Sequence, residues 1–313
     1  MTEPVRTLPG ADRALGDFAT EVGPSDPVVV VGGRTQWAVG GDPDASAREV
    51  RAPAGVVQHE PAEMIVRVRA GTSVAELDAA LAEGGQTIAL DPPDAERATV
   101  GGVLAVGHSG PRRLGWGPVR DSLLEARYVS AGGQLIRAGG PVVKNVSGFD
   151  LCRLLVGSLG TLGLLAEVVL RVRPRPPAAV WLRGAPDDPD RLRRALLRPS
   201  SILWDGATTW VLLEGHAADV DAEIKALGRE FAPVGAPPPL PNGGRWSVAP
   251  SALQEAVMGL EPGSFVAEFG VGIVHASTPA LARPAHPATA TLHRRIKANF
   301  DPSGRLNPGR IVA

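Results

Sequence analysis

Cysteine occurs once in the 313 residues, as Cys152. A single thiol excludes a disulfide framework and a cysteine-ligated cluster within the chain, and it fits a reducing compartment, so the cytoplasm is the expected location. An excess of either charge is also missing: the formal net charge is -1 and 21% of residues are charged. Without a basic surplus there is no electrostatic footing for nucleic acid or an anionic membrane, and the expected partner is a small molecule or another protein. The opening stretch MTEPVRTLPGADRALGDF has neither a basic start followed by an apolar core nor a small-residue cleavage site, so no secretory signal is expected. The most apolar stretch, 154–170, is short for a bilayer and contains Glu167 and three glycines, so no membrane span is expected. No H-E-x-x-H, C-x-x-C or close carboxylate–histidine pair at ligand spacing occurs, so no metal site is expected. The six tryptophans are scattered without helical or groove-like spacing, which suits packing and not stacking on bases.

Glycine and proline are abundant, at 38 and 30 residues, and are distributed without period, which describes a turn-rich globule. Residues 11–21 read as a short helix, and PVVVV (27–31) as a buried strand running into Gly32-Gly33. MIVRVRAG (64–71) alternates apolar and charged residues, as a strand with one wet face does. Ser73 and Glu76 form a capping box for a helix that Gly84-Gly85 stop. The stretch 90–121 carries too many glycines and prolines for a regular element, whereas 123–140 reads as a hairpin turning at Gly132-Gly133. Asp150 caps a short helix, and LAEVVLRV (165–172) is a strand. RPRPPA (173–178) is the clearest linker, which sets a domain boundary near residue 176. Beyond it, helices at 187–197 and 219–231 interleave with strands at 208–215 and 264–276, an α+β arrangement. APPPLP (236–241) reads as a proline-rich loop rather than a polyproline ligand.

Three segments join the end of an element to bare backbone: VVGGRTQWAVGG (30–41), TVGGVLAVGHSG (99–110) and GSLGTLG (157–163). Each offers successive N–H groups unobstructed by side chains, as phosphate or a flat cofactor requires. The residues alone leave two readings open, tight turns of a β-rich domain or one cofactor cradle. A dinucleotide fingerprint fails because Arg34 stands where G-x-G-x-x-G needs its second glycine, and no segment supplies G-x-x-x-x-G-K-[ST].

The segments KNVSGFDLCRLLVGSLGTLGLLAEVVLRVRP (144–174), DPPDAERATVGGVLAVGHSGPRR (91–113) and IKANFDPSGRLNPGRI (296–311) resemble the FAD-linked oxidases of the vanillyl-alcohol oxidase and p-cresol methylhydroxylase (PCMH) type, most of all the FAD-binding subunits of glycolate oxidase. The resemblance covers nearly all of 27–174 and the last twenty residues, and 180–290 only loosely. It implies a PCMH-type FAD-binding domain of two α+β subdomains at 1–175, a small α+β cap at 176–290, and a C-terminal segment, 291–313, returning to the first domain. By resemblance, Gly32, Gly33, Arg34, Thr35 and Gln36 form the first pyrophosphate loop. Thr99, Gly101 and Gly102 lie beside phosphate and flavin, and Gly157, Ser158, Gly160, Thr161 and Gly163 line the extended FAD. Pro92, Ser109, Gly110, Asn145 and Gly148 complete the implied cofactor set. Hydroxyls and amides would then hold pyrophosphate without a large positive patch. Alanine at Gly101 or Gly160 is accordingly expected to reduce FAD occupancy more than stability.

A flavin carries out the redox step, so the protein must place a C–H bond, accept a proton and steady negative charge on the ring. Lys144 and His108 are the expected catalytic residues, with Arg112, Arg113 and Arg310 as further cations in the resembled motifs. Covalent attachment needs a nucleophile at the ring, and Arg34-Thr35-Gln36 supplies none, so non-covalent FAD is expected. His275 reads as an ordinary strand-end histidine, and His216, His286 and His293 as surface residues. The cap lacks the glutamate-histidine-glycine signature and the paired histidines of substrate-oxidising 2-hydroxy-acid members, which EFGVGIVHA (268–276) only echoes. The resemblance implies oxidation of a small 2-hydroxy acid of glycolate or D-lactate type, with electrons passed to a second flavin subunit and an iron–sulfur subunit. A non-catalytic FAD-binding or scaffold subunit is the alternative, and the cap leaves an oxidase of a larger alcohol or sugar open.

Overall fold

The structure is a computed structural model and describes residues 13–140, 150–185, 189–279 and 287–311. It divides into two compact units. The first comprises Met1–Ser109, Pro118–Arg175 and Ala285–Ala313, and the second Gly110–Gly117 and Pro176–Pro284. The segment Gly110–Gly117, placed within the first domain by the sequence reading, thus packs with the second unit.

The first unit is built on a five-stranded antiparallel sheet in the order Val56–Glu60, Ile65–Arg69, Leu164–Arg171, Leu123–Val129, Leu135–Gly139. Its central strand, Leu164–Arg171, is buried on both faces except at its last residue, and so its sequence is an almost unbroken apolar run. The exception inside that run, Glu167, is buried beside Glu125, and Arg67 reaches both carboxylates at 3.1 and 3.0 Å. Ile65–Arg69 alternates, with Val66 and Val68 fully buried and its arginines half-buried. Val66, Val68, Ala126, Val168 and Leu170 pack with Val74, Leu77 and Leu81 of the helix Val74–Glu83 and with Val103 and Leu104. That helix opens where expected: Ser73 Oγ accepts the Glu76 amide at 3.1 Å. The hairpin turns at Gly133, φ +74°, and Asp150 caps Leu151–Leu155 by accepting the Arg153 amide at 3.1 Å. A second cluster, around Leu15, Phe18 and Val22 of the helix Arg13–Val22, includes Val28, Val50 and Leu306. There the parallel strands Val28–Val30 and Arg48–Val50 pair, and Leu306 bridges to Val28.

The stretch 90–121 departs from its reading, because it contains the helix Val100–Val106, capped by Thr99. Two glycines in the first turn argue against a helix by propensity. Close packing explains the first: a Cβ on Gly101 would lie 2.8 Å from Ala70 Cβ, and the Gly101 amide donates to Ala70 O at 2.8 Å.

The second unit is a seven-stranded antiparallel sheet in the order Ala232–Val234, Ala178–Gly184, Thr209–Gly215, Pro199–Trp204, Phe265–Glu268, Ile273–Ala276, Gly244–Ser247. One face, carrying Leu182, Ile202, Val211, Leu213, Ala267 and Val274, packs with Val220 of the helix Ala217–Leu227 and with Leu192 of Pro189–Ala195. The stretch 264–276, read as one strand, is a hairpin whose turn holds Gly270 and Gly272 at φ +77° and +83°. Among the described residues no helix is long and apolar enough to cross a membrane.

Candidate functional site

The first unit contains a trough of about 930 Å³, open solvent included, into which all three glycine segments converge. Its lining includes Gly32 to Gln36, Thr99, Gly101, Gly102, Ser158, Gly160 and Gly163, with Asn307 and Arg310 from the C-terminal segment. Gly32, Gly101 and Gly160 therefore face one common space.

Close approach of separate segments accounts for the missing side chains. A Cβ on Gly33 would fall 1.7 Å from Arg97 O, so this loop lies flat against the segment leading into the helix Val100–Val106. Gly160, at φ +70°, follows Leu159 at +53°, and a Cβ on Gly160 would fall 2.2 Å from Asn307 Nδ2. Asn307 ties the wall together: its Nδ2 donates to Leu159 O at 2.7 Å and its Oδ1 accepts the Val30 amide at 2.8 Å.

The first loop presents the chemistry. The main-chain amides of Gly32, Gly33, Arg34, Thr35 and Gln36 donate to no acceptor among the described residues. Arg34 takes a left-handed conformation, φ +58°, between residues of ordinary φ, the alternation that gathers successive N–H groups into a concave anion site. The loop is braced by Trp37, whose ring carries the guanidiniums of Arg34 and Arg310 at 4.8 and 4.6 Å from its centroid. Arg310 Nη1 also donates to the carbonyls of Trp37, Val39 and Gly41. Burial pulls the Arg310 pKa down, against the attraction of Asp42. Arg310, expected as a cation for the reduced ring, lines the trough and holds the loop through Nη1.

Several expected residues stand elsewhere. Gly157 and Thr161 do not line the trough, and neither does Pro92. The hydroxyls of Ser158 and Thr161, expected to hold pyrophosphate, donate instead to Leu155 O and Ser158 O, each at 2.8 Å, and close the turn. Ser109 is buried and its Oγ accepts the Val119 amide at 3.0 Å. Gly110, Arg112 and Arg113 belong to the second unit, where Arg112 lies 3.8 Å from Glu214. His108 is buried behind the first loop, its Nδ1 2.8 Å from Gln36 Nε2. An amide nitrogen only donates, so Nδ1 accepts and the ring proton sits on Nε2. Lys144, Asn145 and Gly148 lie outside the described residues, as does His286. His275, read as a strand-end residue, is buried and 2.7 Å from Glu268.

The sequence reading passed over Asn307 as a site residue, although its motif LNPGR was in view. Its role depends on contacts 148 and 277 positions away, which no local pattern reports.

Residues 22–139 match the family described as FAD binding domain, and residues 254–311 match FAD linked oxidases, C-terminal domain. Glycolate oxidase subunit GlcE of Escherichia coli is 32% identical over 92% of this chain and 93% of its own length. D-lactate dehydrogenase of Archaeoglobus fulgidus is 40% identical over 34% of this chain and 24% of its own length. Glycolate oxidase subunit GlcD of Bacillus subtilis is 32% identical over 39% and 26%. Among solved structures, an alkyldihydroxyacetonephosphate synthase superposes with a TM-score of 0.66 over 95% of this chain and 73% of that one, at 16% identity, a likeness of fold. The trough fits FAD on its own evidence: a run of uncommitted amides suits a pyrophosphate, and a long wall of bare backbone suits a stretched dinucleotide.

Proposed function

Since the chain belongs to the FAD-linked oxidases, with a PCMH-type FAD-binding domain, we propose that it is the FAD-binding subunit of a 2-hydroxy-acid dehydrogenase assembly. It is an FAD-dependent oxidoreductase related to glycolate oxidase subunits and D-lactate dehydrogenases. In this reading its substrate is a small 2-hydroxy acid of glycolate or D-lactate type, and its electrons pass to a second flavin subunit and an iron–sulfur subunit. The observation that carries it is the agreement with glycolate oxidase subunit GlcE over 92% of the chain, where the D-lactate dehydrogenase and GlcD named above share 34% and 39% of it.

Bound FAD supplies the two-electron oxidation of the substrate C–H bond, the alcohol becoming a carbonyl. The chain's own residues bind and orient. The amides of residues 32–36 hold the pyrophosphate, and the walls at Gly101 and Gly160 let main chain lie along the cofactor. Gln36 is kept in place by His108. Arg34, Thr35 and Gln36 supply no nucleophile for a covalent link, so in this reading the cofactor is held non-covalently and acid precipitation releases it. With cysteine at a single buried position, the assembly's cluster belongs to a partner, and the chain works in the cytoplasm.

Anaerobic mixing of the FAD-loaded protein with glycolate or D-lactate tests the reading. Bleaching of the visible flavin band, and its return when the partner subunits are added, is the expected result. Bound FAD that stays oxidised with either acid, both alone and in the assembly, would favour the non-catalytic scaffold, which the absent glutamate-histidine-glycine signature of the cap supports.

A further inference from the structure

The second unit carries a polar cluster on the sheet face opposite its main core. His275 stands directly across from Arg245 in one strand pair and from Val266 in the other. Glu268 is two residues beyond Val266, so all three polar side chains share one face. Glu268 is 1% exposed and His275 6%, and His275 Nε2 lies 2.7 Å from Glu268 Oε1. The second carboxylate oxygen, Oε2, is buried without a hydrogen-bond partner. A buried acceptor left without a donor is destabilising, and native proteins rarely keep one without a use.

Two cations meet the same cluster. Arg245 is set on the cluster's face by its pairing with His275, and Arg113 opens the short helix Arg113–Trp116, whose Leu114 reaches the turn after Glu268: a Cβ on Gly270 would lie 2.7 Å from Leu114 Cδ1. Neither guanidinium makes a hydrogen bond or ion pair among the described residues. Neighbouring Arg112 is occupied, by Glu214 at 3.8 Å and by the Trp116 ring at 5.1 Å.

The cluster thus offers two uncommitted guanidiniums and one uncommitted anionic acceptor. A plain carboxylate answers the arginines and leaves Glu268 Oε2 unmet, and a plain alcohol does the reverse. One small molecule answers both if it carries a carboxylate and a neighbouring hydroxyl.

We infer that Arg113, Arg245 and Glu268 form a recognition site for a 2-hydroxy carboxylate, the guanidiniums receiving its carboxylate and Glu268 Oε2 its hydroxyl. His275 is a positioning residue, fixing the Glu268 carboxyl through Oε1. The inference deepens the proposed function and rests on it for the choice of ligand, but it concerns binding and requires no oxidation.

The test is calorimetric titration of the full chain with glycolate and with acetate, the bound FAD held reduced by dithionite so that no turnover occurs. Glycolate should bind more tightly than acetate. Arg245→Ala and Arg113→Ala should weaken both by about tenfold or more, as loss of a charge-assisted contact does, with Arg245→Lys restoring part. Glu268→Gln should narrow the preference for glycolate while retaining acetate affinity. Thermal melts of each variant show whether it is folded, and the surface variant Arg245→Ala keeps the test open should Glu268→Gln unfold. Unchanged glycolate affinity in both arginine variants, or a wild type that binds neither acid or does not distinguish them, overturns the inference. Flavin bleaching alongside unchanged variant affinities sinks the inference and leaves the proposed function standing. Affinity lost in the variants without any bleaching in the wild type does the opposite.

Discussion

Replacing Gly160 with alanine sets a sharp condition on the packing around the trough. The new Cβ would lie 2.2 Å from Asn307 Nδ2, at a residue held at φ +70°. A left-handed non-glycine residue costs about 1–2 kcal/mol, and forcing an extra carbon into a packed contact costs about 1–3 kcal/mol more. Asn307 can relieve the overlap only by giving up its bond to Leu159 O or to the Val30 amide, so the penalty falls on the protein with or without cofactor. For a unit of 150–250 residues, about 2–4 °C per kcal/mol translates the sum into a melting point lower by about 4–20 °C. Gly157→Ala is the control, because Gly157 has φ +81° but nothing within 4 Å of its Cβ position, so only the backbone penalty applies. Its melting point should drop by about 2–8 °C. The assay is thermal unfolding of protein stripped of FAD, followed by the FAD-to-protein absorbance ratio after reconstitution. Gly160→Ala should lose both stability and FAD, with a larger share falling on stability than the expectation from sequence, that occupancy would suffer more. If stripped Gly160→Ala melts no lower than stripped Gly157→Ala, the contact with Asn307 is not what holds this wall.

Two further outcomes follow from buried groups. Asp301 accepts the Leu306 and Arg305 amides at 2.8 and 3.1 Å and pairs with Lys297; burial alone would raise its pKa, but these donors bring it below the usual carboxylate value. Its ionisation is therefore a stabilising term present above about pH 4 and lost as pH falls through the lower folded value. Asp301→Asn should cost about 3 kcal/mol in urea unfolding at pH 7, and the gap to wild type should narrow in acid; a gap that is the same at pH 3 and pH 7 contradicts the assignment. Burial, with Asp150 and Glu125 adding to it, pushes the Cys152 thiol up to about 12. The native protein should therefore resist Ellman's reagent at pH 8 and react only in denaturant, and rapid native labelling would refute this.

Local signals were readable where one residue sets the geometry of the next few. Ser73 before Glu76, the Gly132-Gly133 turn and Asp150 before a short apolar run each act within four positions. The helix Val100–Val106 was hidden because Gly101 serves a contact with Ala70, some thirty residues earlier, and helix propensity counts it only as a loss. The hairpin 264–276 was hidden because Gly270 and Gly272 fall inside an otherwise continuous strand pattern. In the site, glycine spacing and the resembled motifs pointed to three segments that meet in one trough, since bare backbone is a property of the letters. Hydroxyl use was not legible: Ser158 and Thr161 look like ligand donors in sequence, yet the tight turn consumes their protons. The pairing of His275 with Glu268 and the bracing of Trp37 by Arg310 likewise depend on which strands and segments meet.

The central claim is that the uncommitted amides of residues 32–36 are the pyrophosphate holders of FAD, and hydrogen–deuterium exchange with and without FAD tests it most directly. Without cofactor these amides have no protein acceptor and should exchange within seconds. With saturating FAD, a peptide covering 32–36 should slow by at least about tenfold, in step with smaller slowing around Gly160. FAD that binds stoichiometrically while this peptide exchanges at its unliganded rate would contradict the account.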